Sequence, residues 1–156
     1  MAKTFSAPQL ELVLKLTEDS GLTDTARANR EILVKAYQAM LDGNESALAE
    51  ILDPEVRFYE AKGLPYGVEA EGIDGALAGV AGMFSAWSHL YTEFQEFLAG
   101  GDMVIAYLWM RATARETGEI YEGPTAEMFR FKNGKVIEWR PIYWDTHRVR
   151  EVCGLT

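Results

Sequence analysis

Met128-Phe129-Arg130-Phe131-Lys132-Asn133-Gly134-Lys135-Val136-Ile137-Glu138-Trp139-Arg140 is the stretch on which the fold turns. Its centre, Lys132-Asn133-Gly134, supplies residues that tolerate positive φ in a tight turn, and its flanks alternate in polarity. That combination specifies a β-hairpin. Upstream, Thr117-Gly118 and Gly100-Gly101-Asp102 break the chain in the same manner, so strands are expected near 92–99, 103–116, 119–131 and 135–144. Everything after Tyr91 reads as a β-meander.

The half before it is mostly helical. Ile32, Leu33, Ala36, Tyr37 and Met40 recur at spacings of three and four, the period of a helix running from Thr23 or Asp24 to about Leu41. Asp42-Gly43-Asn44 stops it, Asn44 can cap a short helix through Leu48, Ile51 and Leu52, and Asp53-Pro54 closes that one. Val56-Arg57-Phe58-Tyr59-Glu60 reads as a strand, followed by the turn-rich Lys62-Gly63-Leu64-Pro65-Tyr66-Gly67 and a short strand around Val68 to Ala70. From Asp74 to about His89 the pattern is helical again, with Leu77, Val80, Ala81, Phe84 and Trp87 inward. Leu10, Val13, Leu14 and Leu16 mark one more helix over 6–18, with Ser6 as its N-cap. Residues 1–25 are thus expected as a helical extension and 26–156 as a single domain. Helices, a small hairpin, a helix and long antiparallel strands make an α+β fold. A strongly bent sheet wrapped around three helices leaves a cone-shaped cavity.

The 156 residues carry 15 Lys+Arg against 24 Asp+Glu, a formal charge of −9. The length suits one core without staples. The acidic balance speaks against nucleic-acid binding, which needs a basic face, and against anionic lipid surfaces. No apolar run approaches the roughly 20 residues that span a bilayer, so no membrane association is expected. A lone cysteine, Cys153, excludes an internal disulfide, and no clean signal segment opens the chain; a cytoplasmic location is expected. The glycines at 72, 75, 79 and 82 lack the context of a phosphate loop and suggest close helix-to-sheet approach instead. With only His89 and His147 available no multi-histidine metal site can form, and neither a metal nor an organic cofactor is expected.

Two segments carry a family resemblance. Ile32-Leu33-Val34-Lys35-Ala36-Tyr37-Gln38-Ala39-Met40-Leu41-Asp42-Gly43-Asn44 resembles the opening helix of the nuclear-transport-factor-2-like (NTF2-like) superfamily, and the Met128 to Arg140 stretch resembles its last hairpin. Leu64-Pro65-Tyr66-Gly67 and Glu71-Gly72-Ile73 fall where that superfamily has a loop and the start of its third helix. The resemblance spans about Ala28 to Val149 and implies the cone fold. It implies no single function, since this fold hosts isomerases, cyclases, dehydratases, epoxide hydrolases and binding modules. In the SnoaL-like cyclase and limonene-epoxide-hydrolase-like families a working aspartate lies two residues beyond the position of Trp139, and here that residue is Pro141. The Arg and Asp that the epoxide hydrolases need correspond to Leu108 and Met110. The steroid Δ-isomerase family matches better, and the resemblance to it implies that Tyr37 and a protonated Glu127 hold an enolate oxygen while Glu60 is the general base.

Strand parity supports that grouping from the residues alone. Glu127 shares a face with Phe129 and Phe131, and Trp139 shares one with Ile137, Pro141 and Tyr143. A carboxyl among aromatics is desolvated and holds its proton to higher pH. Tyr66, Phe84, Leu108, Met110, Phe129, Trp139, Tyr143 and Asp145 complete the expected substrate site, with Tyr66 at the mouth and Asp145 beside His147 as a possible relay. Structural readings stand beside these: Glu60 can anchor a loop, Tyr37 can be a core tyrosine, and a one-residue slip turns Glu127 to solvent. The leading expectation is cofactor-free isomerase, cyclase or dehydratase chemistry on a small neutral apolar carbonyl compound. Epoxide opening, with Glu60 or Asp145 activating water, and non-catalytic binding of a small molecule are the alternatives. Tyr107, Trp109, Ile142 and Trp144 fall on the convex sheet face and imply a homodimer through it.

Overall fold

Thr23 starts the first helix, its hydroxyl accepting the Ala26 amide at 3.2 Å, and α1 (Asp24–Leu41) then follows the expected apolar stripe. Leu33, Val34, Ala36 and Tyr37 make its buried face. The computed structural model of the chain describes residues 3–5 and 21–155, so the helix expected over 6–18 lies outside the described residues. Lys3–Phe5 forms β1 and runs parallel to residues 90–92, which joins the start of the chain to the sheet of the domain itself.

After α1 comes α2 (Ala47–Ile51), and β2 (Leu52–Tyr59) follows it with no loop. Pro54, expected to close a helix, instead sits inside this strand. The pairing of β2 shifts register between Leu52 and Arg57, the irregularity that lets a residue without an N–H stand in a sheet. A short β3 (Glu69–Glu71) pairs antiparallel with β2, and α3 (Gly72–Ala86) follows. Trp87, Ser88 and His89, expected in the last turn of that helix, begin β4 (Trp87–Gly100) instead. The long partner strand β5 (Met103–Ala114) explains the difference: Trp87 pairs with Ala114 and His89 with Thr113, so ladder bonds available at that end replace helical ones. Leu77, expected inward on α3, is exposed.

The meander continues through β6 (Ile120–Lys132) and β7 (Lys135–Tyr143) to a final helix, α4 (Thr146–Val152). The β6–β7 turn forms where the sequence places it, with Asn133 at φ 52° and Gly134 at φ 75°, the two positive values a tight primed turn requires. The seven strands make one open mixed sheet in the order β1-β4-β5-β6-β7-β2-β3. Two shifts of register bend the β4–β5 ladder. The helices cover one face of the bent sheet, and the core there includes Leu33, Tyr37, Phe58, Phe97, Phe129 and Val136. No helix among the described residues is long and apolar enough to cross a membrane.

Candidate active site

Five adjacent strands, β4-β5-β6-β7-β2, hold the site on their inner face. Across the sheet, Phe94 of β4 pairs with Leu108, Leu108 with Thr125, and Thr125 with Tyr143. One step along, Glu127 pairs with Pro141. Phe58 of β2 lies beside Trp139 in the parallel ladder, so Glu60, two residues on, reaches the level of Pro141 from the other side. Glu127 and Glu60 therefore flank Pro141 across three neighbouring strand positions.

Pro141 shapes this arrangement as much as it separates it. The Trp144 amide donates to the Pro124 carbonyl at 3.2 Å, which makes 144 and 124 a hydrogen-bonded pair. Alternation along an antiparallel ladder then makes 141 and 127 a non-bonded pair, with the amide position of residue 141 turned toward β2. Proline has no hydrogen there to donate. Strand β2 ends at Tyr59, and the Glu60 amide, on the edge away from β7, donates to the Val68 carbonyl at 2.8 Å. The residue that removes an acid from the last strand thus also removes the ladder donor that β7 would offer at the end of β2.

Between the sheet, α1 and α3 lies a cavity of about 70 Å³. That is several times the roughly 10–15 Å³ that one water needs. Its walls include Met40, Val80, Met83, Phe84, Leu108 and Met110, and among these apolar side chains stand Tyr37, Glu60 and Glu127. Glu60 is 3 % exposed, and its Oε1 has no hydrogen-bond partner. The Tyr37 hydroxyl donates to Glu127 Oε2. Phe94 and Phe97 pack on the Tyr37 ring at 4.7 and 6.1 Å between centroids and fix its direction.

This environment moves every acid in it. Burial pushes Glu60 up to about 8, against the pull of the Ala61 backbone amide, and the charge of Glu127 adds to the rise. Burial also lifts Glu127, to about 7, while the hydrogen bond from Tyr37 draws it down. Burial, then the charge of Glu127, hold the Tyr37 phenol well above its usual range, so it remains a donor. The phenol of Tyr37 favours the charged form of Glu127, and the charge of Glu127 favours the protonated form of Glu60, so the two titrate as a coupled pair. One base and one acid then face the same dry space.

Of the residues expected in the site, Tyr37, Glu60, Glu127, Phe84, Leu108, Met110, Trp139 and Tyr143 line this cavity. Phe129 does not. It is fully buried behind the wall, stacked on Trp139 at 5.2 Å and edge-on to Tyr37 at 6.3 Å. Nor does Tyr66, which the Leu64 to Gly67 turn carries inward against Trp87 and Tyr143, both at 6.2 Å, instead of leaving it at a mouth. Asp145 is exposed, because the chain needs a cap where the last strand gives way to a helix: its Oδ1 accepts the Arg148 amide at 2.8 Å. His147 stands beside Glu151 at 3.3 Å and also faces solvent. Tyr37 differs from expectation in one respect, since its hydroxyl is used on Glu127 and is not open to a ligand. Thr92 and Thr125 are not among the residues expected in the site, yet both line the cavity. Parity alone places Thr125, two residues before Glu127, on the same face. Among the described residues no group of three or more His, Cys, Asp or Glu side chains converges as metal ligands.

Residues 33–139 match the sequence profile of the SnoaL-like domain family. Among curated proteins none matches the chain in sequence. Similar solved structures include an NTF2-like protein of unknown function from Burkholderia pseudomallei, 21 % identical, covering 81 % of this chain and 97 % of its own, with a TM-score of 0.72. A candidate SnoaL-like polyketide cyclase from Jannaschia sp. CCS1 is 17 % identical over 88 % of this chain and 100 % of its own, with a TM-score of 0.72. A candidate hydroxylase from Streptomyces galilaeus is 17 % identical over 84 % of this chain and 87 % of its own, with a TM-score of 0.62. At these identities the likeness is one of fold, and the fold is NTF2-like.

Proposed function

The chain belongs to the SnoaL-like domain family, and from that premise we propose that it is an enzyme of cofactor-free acid–base chemistry, an isomerase, cyclase or dehydratase acting on a small neutral carbonyl compound. One observation carries this reading: two carboxyl groups, Glu60 and Glu127, share an apolar cavity, and only Glu127 has a phenol bonded to it. The roles follow from that asymmetry and reverse the ones the family resemblance implies. Glu127, the carboxylate that Tyr37 stabilises, takes the proton from the carbon next to the carbonyl. Glu60, whose own proton is held by burial and by the charge of Glu127, donates to the carbonyl oxygen as it becomes an enolate. The enol then returns its O–H proton to Glu60, and the proton on Glu127 goes either to another carbon of the substrate or, when the enol attacks a second carbonyl of the same molecule, to that carbonyl's oxygen, so both glutamates regain their starting states. The similar fold of a candidate polyketide cyclase is consistent with the second outcome. Epoxide opening lacks support, since apolar Leu108 and Met110 occupy the wall where an Arg and an Asp would be needed.

The test is hydrogen exchange. Neutral cyclic ketones and enones are incubated with the protein in D₂O, and deuterium at the α-carbon is followed by NMR. The expected result is exchange well above the buffer rate, falling by on the order of 10²–10⁴ in Glu127→Gln and, from loss of the donor, in Glu60→Leu by about 10²–10³. Equal rates in wild type and both variants would remove the glutamates from the chemistry.

A further inference from the structure

The cavity lining holds polar side chains that the proton chemistry does not use, and one of them stands beside Glu127. Thr125 is 4 % exposed, and its Oγ1 is buried with no hydrogen-bond partner. Thr92, at the far side of Met110, has the same unpartnered hydroxyl oxygen. A buried hydroxyl without a partner costs about 1–3 kcal/mol relative to a bonded one, so a folded chain carrying one at a cavity wall invites a ligand atom that completes it.

The position is informative. Thr125 stands two residues before Glu127 on β6, on the same inner face, and lies between Leu108 and Tyr143 across the sheet. Two residues along a strand advance about 6.7 Å. Of its neighbours Leu108, Met110 and Phe94 are apolar, and the hydroxyl of Tyr143, across the sheet, is engaged with Tyr66. Trp139 also has an unpartnered nitrogen, but the rings of Phe58 and Phe129 wall it in, each at 5.2 Å. The Thr125 side is therefore where a second polar atom of a ligand has room to sit.

We infer that the ligand of this cavity is a dioxygenated ring compound, carrying besides its reacting carbonyl a second, neutral oxygen roughly 7 Å from the carbon that meets Glu127, which Thr125 binds. This rests on the acid–base reading for the identity of the first oxygen, and on the unpartnered threonine for the second. Thr125 is then a specificity residue: a compound without the second oxygen leaves its hydroxyl buried and unpaired, which binding selects against.

The experiment compares 1-tetralone with 6-hydroxy-1-tetralone, whose hydroxyl lies across two rings from the α-carbon, by calorimetric titration of the full chain. Wild type is expected to bind the hydroxylated compound about tenfold more tightly. Thr125→Val should abolish that preference, and Thr125→Ser should restore it. Without ligand, Thr125→Val should melt no lower than wild type, because no bond is lost. Equal affinity of wild type for the two compounds overturns the inference, and so does a preference that survives in Thr125→Val or a lower melting temperature of that variant. The two readings fail differently: hydroxyl-dependent binding without α-proton exchange would sink the acid–base reading alone, whereas exchange without hydroxyl preference would sink this one.

Discussion

Glu60 and Glu127 are two carboxyls that the folded protein keeps protonated long after an unfolded chain would have released them. Their ordinary value is 4.5, against about 8 and about 7 in the fold, chiefly through burial. The sign follows directly. Below about pH 4.5 both states hold these protons, and above about pH 8 both have lost them. In between the native state binds more protons than the unfolded one, so stability falls as pH rises, by about 1.4 kcal/mol per unit for each carboxyl, up to about pH 7 for Glu127 and about pH 8 for Glu60. Glu60→Gln and Glu127→Gln should each flatten the decline of melting temperature between pH 5 and 8 and melt above wild type at the upper end. The Glu127→Gln change also lowers Glu60, since the charge of Glu127 is one of the causes that raise it. Melting curves that run parallel to wild type across this range would place both groups in water. Glu60 was legible only through the family resemblance, and Glu127 through that and its parity with Phe129. The Tyr37–Glu127 bond was not, because it joins side chains 90 residues apart and no local pattern encodes that distance.

At the scale of elements, the hairpin around Asn133-Gly134 and the helix beginning at Asp24 formed where turn chemistry and periodicity put them. The boundary at Trp87 did not, because its position depends on how far β5 extends to receive it, a long-range term that outweighs the helical pattern. The glycines of α3 mark the close approach expected of them, and they are not equivalent. A Cβ on Gly79 would lie 2.5 and 2.8 Å from ring carbons of Phe58 and 3.1 Å from Val68, whereas on Gly82 it would meet nothing nearer than the Tyr66 Cβ at 3.8 Å. Phe58 is buried and packed edge-on against Trp139, so it can yield only into the cavity it lines. Gly79→Ala should therefore cost about 1–3 kcal/mol, with a loss of ligand affinity. Gly82→Ala, in the same helix, should gain about 0.5–1 kcal/mol. Urea midpoints measured side by side decide it, and equal shifts for the two would mean that α3 does not rest on Phe58.

For the molecule as a whole, the cone followed from the order of the elements and the family resemblance, and its inner face from strand parity, but the opposite face poses a question that parity cannot answer. On that side Ile142 pairs across the sheet with Ala126, and Ala126 with Tyr107; Pro124 pairs with Trp109. Trp144 is 81 % exposed and Ile142 45 %, and together these residues form a continuous apolar band on a sheet whose other face is already filled. Leaving about 200 Å² of tryptophan in water forgoes several kcal/mol of burial, the signature of a surface meant to be covered. The expected cover is a second copy of the chain, meeting the first about a two-fold axis. Each copy carries a formal charge of −9, so the two repel at long range while the band attracts at contact. Added salt screens the repulsion and leaves the apolar term in place, which predicts a dimer that tightens between about 10 and 150 mM salt. An interface built on ion pairs would loosen over the same range. Sedimentation of the wild type across that series should give a dimer throughout or a shift toward one, and Trp144→Glu should give a monomer whose cavity still binds ligand. A wild type that stays monomeric at 150 mM salt and micromolar concentration would leave the tryptophan band without this explanation.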